Sequence, residues 1–356
     1  MALLQAYRGL AAMLIAVSHL SIAFDRAGSD ALGWVHQLGR VGGVDFFFVL
    51  SGFLIYRAYS GDAGVGRGAR FLRRRLLRIY PLVWIFTLLS LPIYAMAGAY
   101  GFGDGHEFEP GRLLKSLLLW PDELQPILGA TWSLRHVVAF YLVFAAFLRW
   151  PAGVAVATTI WAGAVVVLGL LGRVPLAPPE LAFIFSPFNL AFPCGCLLAA
   201  GLHGRRVPGA VAWLLGGTTL FVLAWTTRGE IAGGQFKLPL YIAGTCLLIV
   251  GAQAVEQRRR LALPRWMDAL GDASYAMVVV NLPVVLAAGK LLAACGLMHG
   301  AHVWWAVPLL LALVVATALF THVVIEKPLA RWLSARVEAP GSLSPARPAL
   351  RSAGWR

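Results

Sequence analysis

Residues 303–325 read VWWAVPLLLALVVATALFTHVVI, a run of 23 residues without an Asp, Glu, Lys or Arg. As a helix such a run is about 34 Å long, enough to cross a hydrocarbon layer of about 30 Å. Nine further apolar blocks precede it, at 8–24, 38–59, 79–99, 131–150, 152–171, 181–202, 210–227, 236–255 and 274–297. The expected fold is therefore all-α: a polytopic transmembrane helical bundle of about ten spans. Composition agrees, with 59% hydrophobic and only 13% charged residues, where soluble domains carry about 25% charged. The first block lacks a basic leader and an A-x-A-like site, so a cleaved signal peptide is not expected. No internal repeat is visible. Residues 113–120 are apolar but too short to span, so they are expected at the interface or re-entering the bundle.

The net charge is +14. The basic residues sit between the apolar blocks, where they set topology and do not point to nucleic acid. With the N-terminus inside, the cytoplasmic loops collect the arginines from Arg67 to Arg78, then Arg149, Arg205, Arg206 and Arg258 to Arg260. The long outer loop, 100–130, instead carries Asp104, Glu107, Glu109, Asp122 and Glu123. Both termini are expected in the cytoplasm. Residues 1–332 form the transmembrane domain, and 333–356, rich in Pro, Ser, Gly and Arg, form a disordered tail. Cys194, Cys196, Cys246 and Cys295 read as small packing residues. No metal site is expected: His299 and His302 lack a partner cluster, and Asp104, His106 and Glu107 read as a solvated turn.

Ionisable groups inside spans are costly and are functional candidates by default. Arg8 and His19 are eleven residues apart, which returns to within about 20° of the same helix face and rises about 16 Å. A snorkelling Arg and a structurally bonded His are the plain reading; a polar line across the bilayer is the functional one. Asp45, read as two turns inside its span, is placed to orient a neutral His for general-base work. An ion pair with Arg40 or Arg135 is the structural alternative. Arg74, Arg75 and Arg78 suit a phosphate-rich ligand at the inner surface; topology and anionic-lipid contact are the competing reading. Trp132 opens the next span with Ser133, as an interfacial aromatic would.

In order along the chain stand Arg8-Gly9-Leu10-Ala11-Ala12 leading to His19, Gly43-Val44-Asp45-Phe46-Phe47-Phe48, Arg74-Arg75-Leu76-Leu77-Arg78-Ile79-Tyr80-Pro81, Thr131-Trp132-Ser133-Leu134, Leu270-Gly271-Asp272-Ala273-Ser274-Tyr275 and Glu326-Lys327-Pro328. This ordered set resembles the acyltransferase 3 family of integral membrane acyltransferases over nearly the whole chain. The resemblance implies transfer of an acyl group, usually acetyl, from cytoplasmic acetyl-CoA to a carbohydrate hydroxyl outside a bacterial inner membrane. The acceptors it implies are carbohydrates or lipid-linked glycans, such as O-antigen or exopolysaccharide units. It implies His19 as base or acyl carrier, supported by Arg8 and Asp45. Arg74, Arg75 and Arg78 would hold the CoA phosphates, and Trp132, Ser133, Tyr275 and Asn281 would face the acceptor. No cofactor is expected to be permanently bound; acyl-CoA is a substrate, and membrane lipids are partners.

Two positions depart from the family pattern. Val137 stands where a Glu is usual, and Asn281 where a His is usual. We read them as marks of an unusual acceptor, reduced activity being the other reading. A secondary transporter of a small polar solute, or a non-catalytic relative, are the rival functions.

Overall fold

The computed structural model describes residues 1–38, 41–61, 64–98, 106–150, 152–173, 178–227, 237–258 and 261–337. Among them the chain forms helices and no strand. The α-helices are α1 (Ala2–Arg26), α2 (Gly33–Leu38), α3 (Gly43–Tyr59), α4 (Arg67–Gly98), α5 (Pro110–Leu118), α6 (Trp132–Phe147), α7 (Gly153–Leu170), α8 (Pro179–Ile184), α9 (Ala191–Gly201), α10 (Ala210–Thr226), α11 (Lys237–Arg258), α12 (Arg265–Asp272), α13 (Ser274–Ala294), α14 (Val303–Thr321) and α15 (Lys327–Val337). A helix stands at each of the ten apolar blocks. Eight stretches are long and apolar enough to cross a membrane, and α10 is a shorter apolar helix. Large apolar side chains point outward, Trp304, Leu170 and Val211 among them. A bundle with such an exterior is a multi-pass membrane protein, because water would not tolerate that surface.

The interior holds two apolar clusters. The larger is built on aromatic rings of α3, α4, α6 and α9, including Phe48, Phe71, Phe140 and Phe192. Phe192 stacks on Phe48 at 4.5 Å and on Phe140 at 4.7 Å between ring centres. The smaller joins α1, α13 and α14 through Ala12, Ala16, Leu20, Met277, Val280 and Val314. Val44 and Phe47 of α3 pack against both. The seam between the clusters runs beside α3, and the candidate site lies on it.

Small residues let these helices approach. A β-carbon on Gly52 would meet the Phe192 carbonyl oxygen at 2.1 Å, and one on Gly195 would meet the Val49 carbonyl oxygen at 2.0 Å. The two glycines lock α3 and α9 reciprocally, backbone to backbone. Gly42 has φ 78° in the left-handed region. It breaks the chain there, so α3 begins at Gly43 and Asp45 lies in its first turn, less deep than the two turns read from the sequence. An acidic side chain in a first turn is favoured by the helix dipole.

The apolar stretch expected at the interface or re-entering is α5. Its end is tied to α4: Tyr80 Oη donates to the Leu118 carbonyl at 2.8 Å, and Trp84 Nε1 to that of Leu117 at 2.9 Å. The chain then turns through Leu119 at φ 52°, and Tyr94 Oη donates to the Ile127 carbonyl at 3.0 Å. The segment thus lies along the middle of α4. The tail from 338 on lies outside the described residues; α15 carries the helix to Val337. The suggested partner Arg40 and the turn residue Asp104 lie outside them too.

Gly195→Ala is expected to push α3 and α9 apart and cost at least about 1–3 kcal/mol. Thermal melting of the purified protein reads this as a drop of several degrees. Gly163→Ala, with nothing within 4 Å of its added β-carbon, should melt with the wild type.

Candidate active site

Arg8 lies in the early turns of α1, where its guanidinium sits against α12 and α13. Nη1 donates to Gln5 Oε1 at 2.9 Å and Nη2 to Ser274 Oγ at 3.0 Å. Gln5 Nε2 in turn donates to Asp272 Oδ1 at 2.6 Å, and Ser274 Oγ donates to the Gly271 carbonyl at 2.7 Å. Gly271 permits this closeness, since a β-carbon there would stand 2.3 Å from the Gln5 carbonyl oxygen. The Leu-Gly-Asp-Ala-Ser-Tyr segment is therefore a cradle for Arg8. Its last residue, Tyr275, donates its hydroxyl to the Ile79 carbonyl of α4 at 2.6 Å.

Arg75 and Arg78 approach from α4. Arg75 is buried and lies over the rings of Tyr59, Phe71 and Tyr141 at 5.3, 5.7 and 5.9 Å, faces that attract a guanidinium. Glu326, 7% exposed at the end of α14, acts electrostatically on both Arg8 and Arg78. It sits on a π-turn, His322–Glu326, and accepts from His322 Nδ1 at 2.7 Å. One-turn π segments of this kind recur at functional sites.

A cavity of about 130 Å³ opens on the seam between the two apolar clusters. Arg8, Arg75, Arg78, Ser274 and Tyr275 line one part of it, and Ser133, Val137 and Phe48 another. Ile15 and Val278 also line it. One helical turn beyond them stand His19 and Asn281, whose Nδ1 and Oδ1 are in hydrogen-bond contact.

The orientation of this pair follows from the amide. Asn281 is fully buried and donates Nδ2 to the carbonyls of Met277 at 2.9 Å and Val278 at 3.1 Å. Its Oδ1 faces His19 and can only accept. The neutral imidazole therefore carries its proton on Nδ1, and Nε2 keeps a lone pair. Asn281 of α13 thus orients His19 through Nδ1, while Asp45 sits buried in the first turn of α3; both helices pack against α1.

Of the residues expected at the site, the cavity gathers Arg8, Arg75, Arg78, Ser133 and Tyr275. Arg74 is exposed and outside its wall. Trp132 packs on His136 and Phe188. Arg135, offered as a partner for Asp45, instead donates to the carbonyls of Leu124 at 3.1 Å and Asp122 at 3.4 Å. Gln5, Asp272, Ser274 and Glu326 were not singled out by residue chemistry. The signal for Gln5 was its place one turn before Arg8, and the others lie within the late motifs. Val137 adds an apolar side chain to the cavity wall.

A family model described as an acyltransferase domain matches residues 2–323. The exopolysaccharide production protein ExoZ of Rhizobium meliloti (strain 1021) is 29% identical over 310 residues, covering 83% of this chain and 90% of that protein. No solved structure matches.

Asn281→Leu leaves the half-buried His19 N–H without its acceptor. A loss of about 1–3 kcal/mol is expected, read as a lower melting temperature. Asn281→Asp keeps an acceptor toward His19 but sets a second oxygen against the Met277 and Val278 carbonyls, so it should melt below the wild type as well.

Proposed function

Because the chain belongs to the acyltransferase 3 family, we propose that it moves an acetyl group from acetyl-CoA to a carbohydrate hydroxyl across a bacterial inner membrane. The observation that carries this reading is His19, set in one tautomer by Asn281 one turn beyond a cavity walled by arginines. The donor would enter from the cytoplasmic, arginine-rich side. Its phosphates would meet Arg75 and Arg78, with Arg8 nearer the thioester. The cavity holds roughly four waters' worth of space at about 30 Å³ each, which suits a short acyl group. The exopolysaccharide relative supports a glycan of that kind as acceptor, reached from the opposite side.

In the overall reaction the acceptor oxygen bonds to the acyl carbon and the carbon–sulfur bond breaks. The hydroxyl proton passes through Nε2 of His19 to the departing CoA thiolate. Asn281 positions the base without charging it. Glu326 and the Asp272–Gln5 link hold the arginines in place, so that donor phosphates complete a charge arrangement already formed. Val137 keeps a second carboxylate from competing for those arginines.

In proteoliposomes, His19→Ala is expected to lower acetyl transfer from labelled acetyl-CoA by about 10²–10⁴-fold while the protein still inserts. Full activity of that variant would sink the assignment of the base. Arg78→Ala removes a charged contact of about 1.5–3 kcal/mol. The Michaelis constant for acetyl-CoA should therefore rise about 10- to 100-fold, more than turnover falls. An unchanged constant would take Arg78 out of donor binding.

A further inference from the structure

A second and larger cavity, of about 1040 Å³, opens between the C-terminal ends of α3 and α11 and the turn after α9. It shares no lining residue with the site above. Among the described residues four arginines line it, Arg57, Arg205, Arg206 and Arg258, and no acidic residue does, the carboxylate of Glu256 acting on Arg57 from outside the lining. Four guanidinium groups around one concavity repel each other unless an anion occupies it.

The walls are built, not draped. Gln257 clamps the turn at two points: its Oε1 accepts from the Val207 N–H at 3.0 Å, and its Nε2 donates to the Arg205 carbonyl at 2.8 Å. Gly204, at φ 68°, makes the reversal. Gln253, 6% exposed, accepts from Arg57 Nη1 at 3.0 Å. The arginines are therefore presented from a fixed frame. The base of the cavity is apolar, with Ala199, Leu202, Val207 and Pro208. Beside it α10 turns outward-facing Val211 and Leu215 to the exterior, where lipid chains run.

We infer that this cavity is a binding site for the phosphate headgroup of an anionic phospholipid. The arginines take the phosphate oxygens, the apolar base takes the glycerol and upper chain, and the rest of the chains lie along α10. A free polyphosphate would satisfy the arginines but leave the apolar base and the lipid-facing mouth unused. Basic pockets between membrane helices on one face are suited to such headgroups.

The test is native mass spectrometry of the full chain released from nanodiscs holding equal phosphatidylglycerol, cardiolipin and phosphatidylcholine. The wild type should retain the anionic lipids in preference to phosphatidylcholine. Removing two arginines with R205Q and R206Q together should cut that preference roughly 30-fold. Arg73→Gln, an exposed arginine outside the cavity, should leave it intact. Undiminished anionic-lipid retention in the double variant overturns the proposal, as does equal loss in Arg73→Gln. Displacement of the lipid by inorganic pyrophosphate or CoA in the wild type also overturns it and assigns the arginines to a soluble ligand. Should the double variant not fold, Arg206→Gln alone is read against the same controls, with a loss of several-fold expected and no change counting against the site.

Discussion

A guanidinium inside an apolar bundle is tolerated only where its N–H groups find fixed acceptors and its charge a distant counter-charge. Arg8 meets that condition, and much of the bundle is arranged to meet it. Gln5 and Ser274 accept from it, and Asp272 braces Gln5 and supplies negative charge together with Glu326 of the π-turn that follows α14. To place these groups, α12 and α13 must lie against α1, which the small side of α1 and Gly271 allow. Once α13 lies there, Asn281 faces His19. Binding of Arg8 and orientation of His19 are thus two results of one helix contact.

The two apolar clusters then divide the labour. The aromatic cluster of α3, α4, α6 and α9 is rigid, with stacked rings and glycine-locked backbones. The aliphatic cluster of α1, α13 and α14 carries the polar line. The cavity lies where they meet, because neither cluster can fill a seam that also admits charged side chains. Such a seam suits a reaction needing phosphate contacts at one end and a neutral base at the other.

The departures from the family pattern acquire physical meaning in this setting. Asn281 can accept toward His19 in one way only, whereas a histidine there could donate or accept. Val137 leaves the cavity wall apolar beside arginines that a carboxylate would otherwise engage. Neither change disturbs Arg8, Arg75, Arg78 or His19. They alter the surroundings of the chemistry and leave its main groups in place.

Hydropathy alone determined that the chain is an all-helical membrane bundle, because about 20 apolar residues and the need to satisfy every backbone group in lipid leave few other structures. The polar residues inside those blocks marked Arg8, His19, Asp45, Arg75 and Arg78 as worth attention, since burying charge in lipid demands a reason. Which of them meet was decided only by tertiary packing. Periodicity puts Arg8 and His19 on one face, but it cannot say that Asn281 lies across from His19, because that depends on how α13 packs against α1. Asp272 and Glu326 stood within motifs and Gln5 one turn before Arg8, but only the fold set the three around one arginine. The arginine-lined cavity beside α10 belongs to the same class: its charges are plain in the sequence as topology signals, and only the Gln257 clamp and the convergence of three helix ends gather them around one space.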